Sequence, residues 1–124
     1  MLIADDDGVT VRVLRHRFER DGLAVDTVRD GVDALAALAA APPTVALVNV
    51  ALAGIDGFEV LRRVRAGDVG PPGLHVALMG WAGNDALLVR AFALDADDFI
   101  VRPFSLAEVS ARIRRLARRA PHAT

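Results

Sequence analysis

The stretch VALVNVALAGIDGFEVL, residues 45–61, decides the fold. It opens on an unbroken apolar run, Val45 to Val48, that stops at one polar residue, Asn49. A strand covered on both faces has no wet side, so it reads as continuous Val, Leu and Ala rather than as an alternation. The run therefore predicts a buried parallel strand over 45–50. Phe58, Leu61 and Val64 then recur at helical spacing, so a helix follows the strand after a short loop. Open α/β sheets place their ligands outside the carboxyl ends of such strands, which is where Asn49 falls. A carboxylate there would accept a phosphoryl group, and an amide would not.

Outward from this stretch the same alternation repeats. Strands are predicted at 2–4, 23–28, 75–79 and 99–102. Val11, Leu14 and Phe18 mark a helix up to the stop at Asp21-Gly22. Further helices run from about Gly31 to Ala41, ended by Pro42-Pro43, and from Asn84 to Leu94. The last helix starts at Ser105, a side chain that caps, with Glu108 three residues on to complete a capping box. Five strands and five helices in strict alternation define an α/β, doubly wound parallel sheet. Right-handed crossovers then bring all strand ends to one rim.

Of the 124 residues, 53% are hydrophobic and 25% charged, the balance of a soluble domain with one core. No apolar run reaches membrane-span length and no basic-then-apolar segment opens the chain, so no membrane partner is expected and the setting is read as cytoplasmic. Cysteine is absent, which excludes disulfides and thiolate metal sites. A net charge of −1 argues against a generic polyanion binder. All 15 basic residues are Arg. That bias suggests a GC-rich bacterial source, so an Arg at any one position need not reflect selection for a guanidinium.

Three groups converge on the predicted rim. ADDDG (4–8) ends the first strand with Asp5, Asp6 and Asp7, Asn49 ends the third, and RPF (102–104) ends the fifth. Crowded carboxylates repel and call for a counter-ion. Mg²⁺, which takes one or two carboxylates plus waters, suits Asp5 and Asp6. The competing reading has one or two of the three pointing into water or capping the first helix. The same negative charge disfavours a loop that cradles phosphate on its amides.

Taken together, ADDD (4–7), NVALAGIDGFEVL (49–61) and DADDFIVRPFSLAEVSARIRRL (95–116) resemble a response-regulator receiver domain in a gap-free register over essentially the whole chain. The resemblance implies a flavodoxin-like (βα)5 fold with strand order 2-1-3-4-5. It places the receiver domain at 1–119; the Pro-containing end of RRAPHAT, with no further periodic segment, reads as the start of a linker or a tail at 120–124, a stand-alone receiver being the other reading. The resemblance also implies a cis Arg102–Pro103 bond that turns Arg102 back over the rim while Phe104 enters the core. In that family an Asp at position 49 accepts phosphate from a histidine kinase. Here the position is Asn49, and an amide lacks the nucleophilic carboxylate. The family's switch Ser or Thr falls on Gly80, its Lys on Arg102 and its aromatic switch residue on Phe99. The small residue that keeps the pocket open is Trp81, and the proline after the phosphorylation site is Ala53. Acceptor, hydroxyl and access are removed at once.

The expectation is a pseudo-receiver that is not an enzyme, takes no phosphate from a histidine kinase and requires no cofactor, with Mg²⁺ weak if it binds. Arg102 is long enough to reach the acidic pair as an internal cation; the other reading leaves it in water. Its role would be regulation and dimerisation, controlling an attached DNA-binding domain in transcription. By resemblance, a homodimer forms through the fourth helix, fifth strand and fifth helix. Asp97, Asp98, Glu108, Arg112 and Arg119 supply charges, and Leu87, Leu88, Ala91 and Val109 the apolar centre. Arg90 stands in for the basic partner that Leu88 replaces. A second reading from another class is a small-ligand sensor that uses the remodelled pocket near Trp81. His16, His75 and His122 are scattered and read as ordinary.

Overall fold

The structure, a computed structural model, describes residues 1–83 and 85–119. In chain order the elements are β1 (Leu2–Ala4), α1 (Gly8–Arg20), β2 (Asp26–Val28), α2 (Gly31–Ala40), β3 (Val45–Asn49), α3 (Gly57–Arg65), β4 (His75–Trp81), α4 (Asp85–Ala93), β5 (Asp98–Arg102) and α5 (Leu106–Arg118). The five strands pair in parallel in the order β2-β1-β3-β4-β5. This is the expected flavodoxin-like doubly wound fold.

Strand periodicity sorts the core into two layers. Ala46, Val48, Val76 and Leu78 face one side, with Leu38, Leu61 and Ala91 from α2, α3 and α4. Val45, Leu47, Ala77 and Met79 face the other, with Leu14 and Phe18 of α1 and Ile113 and Leu116 of α5. The helices start where a short polar side chain can cap them. Asp7, Asp30, Asp56 and Ser105 each accept a hydrogen bond from a first-turn amide. The capping box at Ser105 is half made. Its hydroxyl accepts from Glu108 N at 3.3 Å, but the Glu108 carboxylate turns to Arg112 instead.

Two boundaries differ from expectation by more than one residue. β2 spans only Asp26–Val28, because β1 begins at Leu2 and offers earlier residues no ladder partner. β4 runs on to Trp81, since Gly80 and Trp81 pair with Val101 and Arg102 of β5 although they break the apolar run. The expected start of the fourth helix at Asn84 and the tail at 120–124 lie outside the described residues. Among the described residues no helix is long and apolar enough to cross a membrane.

Candidate functional site

The carboxyl ends of β1, β3 and β5 bring Asp5, Asn49 and Arg102 into one pocket. Asn49 Nδ2 donates to Asp5 Oδ1 at 3.1 Å, and its Oδ1 accepts from Ala51 N at 3.0 Å. The amide is thereby oriented, with its NH₂ toward the acidic residue and its oxygen toward the following loop. Asp5 Oδ1 also accepts from Asp7 N at 3.0 Å.

Arg102 enters from β5, just before the cis Arg102–Pro103 bond. Its Nη2 donates to Asp5 Oδ2, and its Nη1 donates to Thr10 Oγ1 at 3.2 Å. Thr10 in turn donates to Asp7 Oδ2 at 2.7 Å. The bond from Thr10 is the main reason the Asp7 carboxyl is held below its usual range. The side chains of Asp5 and Arg102 are 0% and 6% exposed, so this pair is shut away from water. Arg102 Nε is buried without a hydrogen-bond partner. The Trp81 ring lies over the guanidinium, with its centroid 5.8 Å from Cζ.

Asp6 is exposed, and its carbonyl accepts from Arg29 at 3.4 Å. The cleft beside Asp5, about 170 Å³, is lined by Asp6, Val11, Thr27 and Arg29 among others, and by neither Asn49 nor Trp81. Trp81 is 67% exposed and does not plug the rim. Behind it, Gly80 is buried under the Phe99 ring. A Cβ on residue 80 would stand 3.0 Å from Phe99 Cζ and 3.2 Å from Val50 Cγ2.

The pocket does not suit Mg²⁺. That ion needs carboxylate oxygens free to coordinate and room for several waters. Both Asp5 oxygens already accept hydrogen bonds, Oδ1 from Asp7 N and Asn49 Nδ2 and Oδ2 from Arg102 Nη2. Among the described residues no group of three His, Cys, Asp or Glu is arranged to hold a metal.

On the expected dimer face the side chains sort differently from expectation. Ala91 and Val109 are 0% and 1% exposed. They face the sheet, belong to the core, and cannot supply an intermolecular centre. Asp97 is used within the chain, accepting from Val76 N at 2.7 Å and Arg65 Nη2 at 2.8 Å, with His75 Nδ1 at 3.3 Å from its other oxygen. His75, read as ordinary from the sequence, is a buried partner of Asp97, 2% exposed. Asp98 accepts from Arg112 through both oxygens, at 2.8 and 3.0 Å; this bond is the leading cause of the raised Arg112 pKa. Arg90 stacks on Phe58, with Cζ 4.2 Å from the ring centroid. Leu88 is 38% exposed and Leu87 half-buried, while Arg119 is exposed at the end of α5. Exposed Val89, Phe92 and Val101, which sequence reasoning missed, lie on α4 and β5.

The fold is that of a known class. Residues 1–114 match the response regulator receiver domain family, and the chain belongs to that family. It is 34% identical to the transcriptional regulatory protein TrcR of Mycobacterium tuberculosis, over 98% of this chain and 46% of that protein. It is likewise 34% identical to the transcriptional regulatory protein CseB of Streptomyces avermitilis, over 100% of this chain and 51% of that protein. The chain therefore spans about half the length of the curated relatives it matches. Among solved structures, the receiver domain of NtrX from Brucella abortus superposes with a TM-score of 0.87 at 25% identity, covering 96% of this chain and 98% of that one.

Proposed function

We propose that residues 1–119 form a phosphorylation-independent receiver domain of a bacterial response regulator, which controls an attached DNA-binding domain in transcription. The observation that carries this reading is the oriented amide of Asn49. It stands at the carboxyl end of β3 with its NH₂ bonded to Asp5 and its oxygen bonded to Ala51 N. An amide nitrogen whose lone pair is delocalised, and one of whose hydrogens is donated to Asp5, has nothing with which to attack phosphorus. Gly80 brings no hydroxyl. The relatives named as transcriptional regulatory proteins are about twice as long as this chain, which supports a further domain.

The output we infer is a homodimer through α4, β5 and α5, centred on exposed Leu88 and Phe92 of α4 and Val101 of β5. The test of the reading is incubation with acetyl phosphate and Mg²⁺, beside a receiver that has an acceptor Asp. The comparison protein should gain a phosphoryl adduct by intact mass, and this chain should not. A stoichiometric adduct overturns the reading.

A further inference from the structure

We propose that the Arg102 guanidinium is the resident cation of the acidic pocket, which is therefore complete without a divalent metal. This deepens the reading above and rests on it only for the identity of the pocket.

Charge matching is the first support. With Asn49 neutral, Asp5 is the buried carboxylate facing the centre of the pocket, and one guanidinium balances it. A second carboxylate at position 49 would leave one negative charge over and favour a divalent ion. The two residues thus form a matched set, in which the amide removes one charge and Arg102 neutralises the other.

Geometry is the second support. The guanidinium spans the pocket, with Nη2 on Asp5 and Nη1 on Thr10, and Thr10 carries the connection on to Asp7. The fork shape allows this, where a lysine ammonium is a point charge. A solvent-seeking arginine would not keep Nε buried without a partner. The side chain is held inside by Asp5 and Thr10 despite that unused donor. The Trp81 ring lies over it, an orientation that favours a cation.

The test uses Mn²⁺ as the probe, followed by paramagnetic broadening in ¹H–¹⁵N NMR of the full chain. Wild type should show no saturable broadening at the amides of Asp5, Asn49 and Ala51 up to millimolar Mn²⁺. Arg102→Gln, checked for folding by circular dichroism, should acquire a saturable site there, at least about tenfold tighter than any wild-type binding. In wild type, the Arg102 Nη protons should exchange slowly and stay unmoved by Mn²⁺, unlike those of exposed Arg119. That readout stands even if the variant does not fold. Saturable wild-type binding, a folded Arg102→Gln without gain, or fast-exchanging Arg102 protons would each overturn the proposal. Wild type that binds Mn²⁺ yet takes no phosphoryl group defeats only the resident cation. Wild type that takes a phosphoryl group while excluding Mn²⁺ defeats only the reading of Asn49.

Discussion

The Phe99 ring stands over Gly80 at the end of the sheet, so near that a Cβ on residue 80 would meet Cζ at 3.0 Å. Glycine inside a strand ordinarily costs stability, and a β-branched replacement ordinarily restores it. Here the space is already taken by Phe99 and Val50. Gly80→Thr should therefore destabilise by about 1–3 kcal/mol through overpacking. In a Phe99→Leu background, where the ring is gone, the same change should cost less. Urea unfolding of the four proteins of this cycle decides it, and a stabilising Gly80→Thr in wild type would show that the ring is not held there.

Asp5 and Arg102 form a buried pair, and such pairs are asymmetric under mutation. Removing one partner leaves an uncompensated buried charge, which costs about 3–5 kcal/mol. Arg102→Met should do this to Asp5, whose side chain is 0% exposed. Asp5→Asn together with Arg102→Met removes both charges and should be clearly more stable than Arg102→Met alone. Denaturant midpoints measured at equal slope provide the comparison.

What the sequence made legible, and what it did not, divides along physical lines. The continuous run of β3, the caps at 105 and the strict alternation come from local periodicity, and they produced the fold. Asp5, Asn49 and Arg102 were legible as a group because topology alone sends strand ends to one rim. Whether Arg102 would turn inward was open, since uniform use of Arg hides any single choice of it. Pairs far apart in sequence, such as Arg65 with Asp97, leave no local trace. Ala91 and Val109 were misplaced because resemblance supplies a face of a helix, whereas the angle at which that helix meets the sheet decides which residues point inward.

Gly57 opens α3 directly against the end of β3. A Cβ there would stand 2.4 Å from the Asn49 carbonyl oxygen and 2.8 Å from Val50 Cα. Both neighbours are backbone, so no rotamer change relieves the clash. Gly57→Ala should cost at least about 2 kcal/mol, although alanine is the better helix former. The Asn49 side-chain amide should shift in the NMR spectrum of any folded fraction. A neutral or stabilising Gly57→Ala would mean that α3 can move away from β3 freely.

Asp21 ties α1 to α5. The Ser110 hydroxyl donates to its Oδ2 at 2.5 Å, and Arg17 lies at 3.4 Å from Oδ1. The Ser110 bond is the leading cause of a carboxyl pKa lowered from its ordinary value. Because the folded value lies below the unfolded one, about 3.9, this contribution is present above that pH. It is lost as pH falls through the folded value. Ser110→Ala should therefore destabilise at neutral pH, and the gap from wild type should close progressively in acid. Thermal melts from pH 7 downward test this, and a gap that stays constant with pH would assign the effect to packing alone.

The proposed dimer must form without a phosphate trigger, and the side chains indicate what would hold it. Asp98 is already bonded to Arg112 within the chain, and Asp97 to Arg65, so neither is available as a simple partner for charges on a second copy. Leu88 and Phe92, one turn apart on α4, are 38% and 49% exposed, and Val101 on the edge strand is 45% exposed. A two-fold interface uses each of these twice. Exposed ion pairs contribute only about 0.2–1 kcal/mol, so apolar contact should supply most of the affinity. Leu88→Lys and Phe92→Asp should each weaken self-association more than Arg119→Ala does. Sedimentation velocity across a concentration series distinguishes them. A wild type that stays monomeric at tens of micromolar, or an Arg119→Ala variant that dissociates most readily, would remove this face as the site of assembly.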